Sequence, residues 1–249
     1  MNFREWLHLE QNYEELQQWL QQTGTDINSL VQQLSQKPPD FKGGNADFWY
    51  IPNSPFGLRW VRGRQPGSLA QQEDPFADMN VGQPIANLGQ GVQILRVQAG
   101  SPAGPVHGVH KLPADQQEKE LGVYRKKMLD SAAMPQEAYD QLLQQIVTIN
   151  QRGYQVDPSK PGNLLIDPGK GFGLVDVNPS ESGRPNDAGH VIVMLMGGNF
   201  HFNKISDPET QQAAQTIIQK VETAAKKVGM PFDKESSSTD YSYELAGLK

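Results

Sequence analysis

The chain has 249 residues, of which 37% are hydrophobic and 20% charged, so it can bury one large core or two small ones and is not disordered throughout. Its net charge of -6 excludes a general nucleic-acid surface, because neutralising phosphates requires clustered Lys and Arg, and the longest basic run is only "RKK" at 125–127. The absence of cysteine excludes disulfides, thiolate metal sites and cysteine nucleophiles.

Residues 1–37 predict a helical hairpin, because apolar residues recur at helical spacing in two runs that end before Pro38 and Pro39. This N-terminus does not resemble a secretory signal, and no apolar stretch of the chain reaches about 18 residues. We therefore expect a soluble protein without a membrane span. The first run contains Phe3, Trp6, Leu7, Tyr13, Leu16 and Leu20, and the second contains Ile27, Leu30, Val31 and Leu34.

Residues 38–100 predict a small sheet. Short apolar runs alternate with Gly, Pro and Asn, which is typical of short strands joined by turns. The polar segment 63–80 has room for at most one or two weak helical turns. We predict strands in DFWYIP (47–52), FGLRWVRG (56–63), QPIANLG (83–89) and GVQILRVQAG (91–100).

Residues 101–235 predict a second, mainly helical region, followed by a loose tail at 236–249. Helices are expected at 115–130, at 134–153 with Pro135 in the first turn and Gly153 as the stop, and at 206–229. In the last of these, Ser206 and Glu209 have capping-box spacing. The apolar segment 190–198 is buried by composition, but its periodicity does not distinguish a strand from a helix.

Between these helices the sequence predicts a hairpin. NLLID (163–167) and FGLVDV (172–177) are short apolar runs on either side of the turn residues Pro168 and Gly169. The order of helices, sheet, helices, hairpin and helices indicates an α+β protein with two unequal lobes.

The hairpin predicts a metal and phosphate site. Mg²⁺ prefers oxygen ligands and takes only one or two protein carboxylates beside phosphate oxygens and water, which suits Asn163 and Asp176. Both lie where the hairpin starts and ends, so they are expected side by side. Asp157, in the preceding loop, can face the same cleft as a base for a hydroxyl nucleophile. Lys160 can neutralise a transferring phosphoryl group.

The run "DPSKPGN", followed by "LVDV", resembles the catalytic loop and the metal-binding aspartate of the protein kinase-like fold. The match implies that Lys160, Asn163 and Asp176 correspond to the family's Lys and its two metal ligands. Asp157 would be the catalytic aspartate, although it lies one residue farther from Lys160 than in the family pattern. The implied fold has a small β-rich N-lobe and a helical C-lobe, here preceded by the helical hairpin.

The resemblance extends upstream. "GVQILRVQAGSPAG" resembles the strand and hinge between the lobes, which assigns Val97 to nucleotide binding. "FGLRWVRG" resembles the strand that carries the phosphate-binding Lys, with Arg59 in that place, Gly57 leaving room for adenine, and Arg62 as the competing residue. "DFKGGNADFWYIP" resembles the glycine loop over the phosphates, which assigns Gly43 and Gly44 to the nucleotide.

The chain departs from the family pattern at several positions. No Lys lies in the nucleotide-binding strand, Glu73 is the only candidate for its carboxylate partner, and Val156 replaces the Arg that usually precedes the catalytic aspartate. Val177 and Asn178 follow Asp176 in place of Phe-Gly. These departures keep two alternatives open: a pseudokinase that binds a partner without phosphoryl transfer, and a kinase-fold enzyme that transfers another group such as AMP.

Other features have simpler interpretations. "GKGFG" at 169–173 resembles a phosphate loop but opens no helix, so we interpret it as a turn. Arg59 can equally be a surface cation on an edge strand. The apolar stripe with Trp6 and Trp19 is expected to pack, with docking of a partner as the alternative. The histidines at 107, 110, 190 and 201 lack a third ligand nearby in sequence or are isolated, and are expected to be structural.

The resemblance implies a kinase that uses ATP with Mg²⁺ or Mn²⁺ and transfers the γ-phosphoryl group to a protein hydroxyl, Ser or Thr rather than Tyr. Compact kinases of this kind resemble effectors that pathogenic bacteria inject into host cells through specialised secretion systems. A host protein substrate and a secretion chaperone or activating partner are therefore expected, with no nucleic acid and no membrane span.

Overall fold

The structure is a computed structural model. It divides into two compact units, Met1–Gln98 and Ala99–Lys249, each considered separately below. It describes residues 3–42, 46–71, 75–76, 79, 81–89, 91–98, 100–103, 112–180, 185–196, 207–232 and 247.

The N-terminal unit begins with the predicted helical hairpin, which is confirmed as α1 (Phe3–Thr23) and α2 (Ile27–Ser35). Gly24 allows the tight connection through its positive φ of 61°. The carboxylate of Asp26 then accepts a hydrogen bond from the Ser29 backbone N–H at 2.8 Å, which satisfies one of the free donors at the start of α2.

The predicted strands are also confirmed. The described strands of this unit are β1 (Phe41–Lys42), β2 (Ala46–Tyr50), β3 (Phe56–Val61), β4 (Leu69–Gln71), β5 (Val81–Gly82), β6 (Pro84–Leu88) and β7 (Val92–Arg96). Six of them form an antiparallel sheet in the order β1-β2-β3-β7-β6-β4. The polar segment 63–80 contributes β4, a strand where the sequence left room only for weak helical turns.

One face of this sheet and the helical hairpin share a single apolar core, which includes Leu16, Leu34 and Leu58. Trp19 belongs to its margin: its ring packs edge-on against Phe56, and its indole N–H donates to the Asn53 carbonyl at 3.2 Å. The expected packing role of this tryptophan is thus confirmed. Because side chains alternate along a strand, the neighbours of Leu58 on β3 lie on the opposite face.

The described part of the C-terminal unit contains four α-helices, α3 (Ala114–Ala133), α4 (Gln136–Gln151), α5 (Ala188–Leu195) and α6 (Pro208–Val228). The apolar segment whose type the sequence left open, strand or helix, contributes to helix α5. Its capping box pairs Asp187 with His190, and its remaining residues are buried. The N-cap of α6 is Asp207, whose carboxylate accepts from Thr210 N–H, so the cap lies one residue later than predicted, while Ser206 lies outside the described residues.

The hairpin prediction is confirmed by the antiparallel pairing of β10 (Leu164–Asp167) with β11 (Gly171–Val175). Strand β8 (Ser101–Pro102) pairs with the other edge of β10. A second small ladder joins β9 (Tyr154–Val156) to β12 (Val177–Pro179). Two details differ from the expectation, because residues 161–163 form a 3-10 turn before β10, and Asp176 lies between two strands rather than within one.

The chain is therefore a mixed α+β protein with a β-rich N-terminal region and a helical C-terminal region, and the part that the structure describes holds six α-helices. None of the helices in the described ranges is both long and apolar enough to cross a membrane. Apart from residue 247, the predicted tail lies outside those ranges.

Candidate active site

The predicted site residues of the C-terminal unit lie at the ends of two ladders that adjoin in the chain. The β10–β11 ladder ends with Leu164 opposite Leu174, and the β9–β12 ladder begins with Val156 opposite Val177. Asp176 is the single residue between β11 and β12. Asp157 and Asp176 each lie one residue beyond the Val156–Val177 pair, and Asn163 lies one residue beyond the Leu164–Leu174 pair, so all three lie near the open end of the hairpin.

Asp157 begins a tight loop after β9. Its Oδ1 accepts hydrogen bonds from the Ser159 backbone N–H at 3.0 Å and from the Ser159 hydroxyl at 2.7 Å. Partial burial would raise the pKa of this carboxyl, but the bonds from Ser159 and Lys160 outweigh burial and hold the pKa below its ordinary value. Asp157 is therefore an ionised carboxylate near neutral pH.

Lys160 pairs with the other oxygen of the same carboxylate, at 3.2 Å from Nζ to Oδ2, and its side chain is largely exposed. The loop is one residue longer than in the kinase pattern, but Lys160 still lies close to Asp157. The backbone turns back at this point, because the Lys160 N–H donates to the Asp157 carbonyl at 3.2 Å. The loop thus presents an anion and a cation side by side.

Asn163 ends the 3-10 turn and has only 6% of its surface exposed. Its Nδ2 is buried and has no hydrogen-bond partner among the residues that the structure describes. An unpaired buried amide costs about 1–3 kcal/mol, so such a group calls for a function or a ligand. Rotating the amide by 180° would present its oxygen at the same position, which suits a cation.

Asp176 is exposed and adopts a φ of 56°, in the left-handed region that non-glycine residues rarely occupy. Asn53 is the other non-glycine residue with positive φ in the described part of the chain. Strained backbone of this kind persists only where the surroundings impose it, and it concentrates at functional sites. Here the imposing elements are the two ladders that Asp176 joins.

An asparagine clamp that the sequence analysis missed holds this region. Asn186 is 3% exposed, its Oδ1 accepts from Val156 N–H, and its Nδ2 donates to the Val156 carbonyl, both at 2.8 Å. Its own backbone exchanges two bonds with the side chain of Asn150 on α4. The clamp fixes the residue immediately before Asp157. Its only sequence signal is an Asn next to a helix cap, which is too common to single out.

The first turn of α5 is fixed beside this clamp. Burial would raise the pKa of Asp187, but hydrogen bonds from His190 and its neighbours outweigh burial and lower that pKa. In the capping box, Asp187 N–H donates to Nδ1 of His190 at 3.1 Å. His190 is therefore a structural cap, as the sequence suggested. Helix α5 lies beside the 3-10 turn that ends at Asn163.

In the N-terminal unit, both candidate arginines have partners. Arg59 Nη1 donates to Gln93 Oε1 on the adjacent strand at 2.8 Å, and Arg62 forms an ion pair with Asp47 at 2.7 Å. Arg59 lies on the sheet face opposite the helical hairpin, together with Gly57. A Cβ on Gly57 would lie 2.2 Å from the ring of Phe48, so packing within this unit already accounts for the glycine.

Of the other residues predicted to contact the nucleotide, Val97 has a backbone partner within its own unit. Val97 is half-buried, and its N–H donates to the Pro55 carbonyl at 2.8 Å, which secures the strand end after β7. Several candidates lie outside the described residues, namely Gly43, Gly44, Glu73, His107, His110 and His201. "GKGFG" forms the turn and first half of β11, as expected.

The residues that could hold a divalent cation are Asn163 and Asp176, with phosphate oxygens and water completing the shell. Among the described residues, no group of three or more His, Cys, Asp or Glu is arranged to bind a metal. The feature that favours a cation here is the buried side-chain amide of Asn163, whose Nδ2 has no hydrogen-bond partner among the described residues.

Comparison with family models, curated proteins and solved structures returned no significant match to this chain.

Proposed function

We propose that the chain is an atypical ATP-dependent protein kinase with a two-lobed kinase-like fold, which transfers the γ-phosphoryl group of ATP to a Ser or Thr hydroxyl of a protein. The observation that carries the proposal is the junction at Asp176, where Asp157, Asn163 and Asp176 each lie one residue beyond the last pair of a ladder. Phosphoryl transfer consists mainly of positioning and charge stabilisation, and this junction offers ligands, a base and a cation for it.

Asn163 and Asp176 would hold Mg²⁺ or Mn²⁺. The ion would supply charge neutralisation at the phosphate oxygens. The left-handed backbone of Asp176 sets the position from which its side chain leaves the chain, and the burial of Asn163 keeps its amide free of competing water. Both features prepare the ligands before a nucleotide arrives, which lowers the cost of reorganisation.

Asp157 would orient the acceptor hydroxyl and receive its proton. Its lowered pKa keeps it ionised, so at neutral pH it is a hydrogen-bond acceptor rather than a donor. Lys160, paired with the same carboxylate, stands where it can stabilise negative charge on the transferring phosphoryl group.

In the N-terminal unit we propose that Arg59 contacts the nucleotide phosphates, with Gly43, Gly44 and Val97 also lining the nucleotide. The position of Arg59 on the sheet face opposite the packed helices supports this role. Arg59 would have to exchange its bond to Gln93 for a phosphate oxygen, which its five donors allow.

The direct test uses folded protein with Mg²⁺ or Mn²⁺ and ATP labelled on the γ-phosphate, with casein as a generic acceptor. We expect labelled protein and a metal-dependent rise in Tm on adding ATP. Folded protein that neither binds ATP nor labels itself, casein or a cell lysate would contradict the proposal. ATP labelled on the α-phosphate separates this reaction from adenylyl transfer, because only adenylyl transfer would leave that label on protein.

Asn163→Leu sharpens the test. If the amide serves a cation, the variant removes an unpaired buried polar group and stabilises the fold by about 1 kcal/mol, while the metal-dependent Tm rise disappears. If Asn163 instead has a structural role, the variant is destabilised, and the assignment of this residue to the metal is wrong.

A pseudokinase is the second candidate, favoured by the bond of Arg59 to Gln93 within its own sheet. If Arg59 keeps its hydrogen bond to Gln93, it cannot use that donor for a nucleotide phosphate, and the phosphates lack the proposed cation. In that case the protein binds a partner, and ATP with metal causes no Tm change in wild-type protein or in Asp176→Ala.

The resemblance to injected effectors leads us to propose a host protein as the substrate. Val156 stands where kinases controlled by a phosphorylated activation loop carry an arginine, which supports activity without such phosphorylation. We expect labelling of a host protein without prior phosphorylation of this chain, measured by adding purified protein to a host-cell lysate. A secretion chaperone or activating partner remains a prediction from the sequence.

A further inference from the structure

The loop Asp157–Lys160 treats the two oxygens of one carboxylate differently. Oδ1 accepts two hydrogen bonds, from the backbone N–H and the hydroxyl of Ser159. A carboxylate oxygen has two lone-pair positions, so both positions of Oδ1 are taken. Oδ2 forms an ion pair with Lys160 Nζ at 3.2 Å, and the described residues donate no other bond to it. One acceptor position therefore stays open, next to the lysine.

We infer, resting on the proposed kinase function, that Ser159 is a positioning residue: it locks Oδ1 of Asp157 so that the acceptor hydroxyl binds Oδ2, beside Lys160. The residue that lengthens this loop relative to the kinase pattern thus becomes a built-in orienting group. Without the Ser159 hydroxyl, the carboxylate would retain one bond on Oδ1 and could rotate about its Cβ–Cγ bond, which is a soft torsion.

This assignment fixes the path of the proton. The acceptor O–H donates to Oδ2 while its oxygen forms a bond to the γ-phosphorus. The bond between that phosphorus and the β,γ-bridging oxygen breaks, and ADP leaves with the bond's electrons. The proton stays on Asp157 as a neutral acid and is then released to solvent. Lys160, beside Oδ2, is adjacent to the acceptor oxygen as the phosphoryl group arrives.

Ser159 is exposed and the hydroxyl is small, so its removal is not expected to unfold the chain. We expect Ser159→Ala to lower kcat about tenfold, the factor that corresponds to loss of one hydrogen bond to a charged group, without changing KM for ATP. Ser159→Thr keeps the hydroxyl and should restore kcat to within about twofold of wild type.

The matched control is Ser35→Ala. Ser35 is likewise exposed, and its hydroxyl donates to a backbone carbonyl, that of Gln32 at 2.8 Å, in α2. Its kcat and KM should equal those of wild type. Steady-state rates are measured with casein and γ-labelled ATP, and Tm is measured for every variant to separate folding from chemistry.

Three outcomes overturn the inference. If Ser159→Ala matches wild type, the serine only shapes the turn. If Ser159→Ala raises kcat, the hydroxyl competes with the acceptor for Asp157. If KM for ATP rises while kcat is unchanged, the loop serves nucleotide binding. In all three cases wild-type protein still transfers phosphate, so the proposed function survives. A wild-type protein that transfers nothing contradicts the function, and the inference with it.

Discussion

The two ends of the β10–β11 hairpin each carry an aspartate, and only one of the two is explained by local structure. At the turn, Oδ1 of Asp167 accepts from Gly169 N–H at 2.9 Å, an ordinary Asx turn. At the open end, Asp176 has a strained backbone and Asn163 has an unpaired buried amide. The contrast teaches that two aspartates of one hairpin differ in whether the neighbouring chain accounts for their conformation, which makes the open end the candidate for function.

The largest expected effect separates the two aspartates by activity. Asp176→Asn removes the charge of a proposed metal ligand and should lower phosphoryl transfer roughly 10³-fold. Asp167→Asn is the matched control, since an amide oxygen still accepts from Gly169 N–H, and its rate should stay within about twofold of wild type. Rates with γ-labelled ATP measure both. Equal losses in the two variants would mean that the open end has no special role.

The second prediction concerns the clamp behind the open end. Asn186→Ala leaves the Val156 N–H and carbonyl buried without partners, and we expect a loss of about 3 kcal/mol in the free energy of unfolding of the C-terminal unit. Hydrogen exchange of the peptide 150–160 reports this loss. All four tryptophans lie at or before residue 60, so their fluorescence monitors the N-terminal unit separately.

Gln151→Ala is the control for the clamp. Gln151 is exposed at the end of α4, and its removal should change stability by no more than about 0.5 kcal/mol. If both variants exchange at the wild-type rate, the bonds of Asn186 do not hold Val156.

The third prediction is that replacing aspartate by glycine stabilises the C-terminal unit at the open end of the hairpin and destabilises it at the turn. Asp176→Gly relieves the left-handed backbone and should stabilise the C-terminal unit by up to about 1 kcal/mol, while abolishing transfer. Asp167→Gly loses the Asx-turn bond and should destabilise the unit by about 1 kcal/mol. Hydrogen exchange of α4 and β10 measures both. Loss of stability in both variants would show that the strain at Asp176 is not costly.

The hairpin was predictable because its signals are local. Two apolar runs on either side of Pro168 and Gly169 specify strands and a turn whatever the rest of the chain does. The buried faces of α4 and α6 followed from helical periodicity in the same way. The type of α5 was not predictable, since a segment that is buried all round carries no periodicity, and the capping box with His190 decides it.

The open end was predictable only in part. The sequence proposed Asp157, Asn163 and Asp176 from residue type and spacing, but neither the backbone conformation of Asp176 nor the unpaired Nδ2 of Asn163 follows from the local chain. The φ of Asp176 depends on two ladders with different partner strands, and the clamp joins residues 30 positions apart. Such features arise from tertiary pairing, which local propensity does not encode.

The smallest expected effect is the pH dependence that Asp157 gives to the open end. Its pKa in the folded protein lies below the ordinary value of 3.8, because bonds from Ser159 and Lys160 outweigh burial. A depressed pKa contributes stability that is present above the unfolded pKa and is lost as pH falls through the folded pKa. Wild-type stability should therefore decrease below about pH 4, with Asp187 contributing in the same direction.

Asp157→Asn cannot titrate, so the stability of the C-terminal unit should fall less steeply between about pH 5 and pH 3 than in wild type. Urea unfolding followed by circular dichroism at several pH values measures the slope, and the tryptophan signal again monitors the N-terminal unit. A variant with the wild-type slope would show that the carboxylate gains nothing from Ser159 and Lys160 in the folded state. The open end would then owe its preorganisation to Asp176 and Asn163 alone.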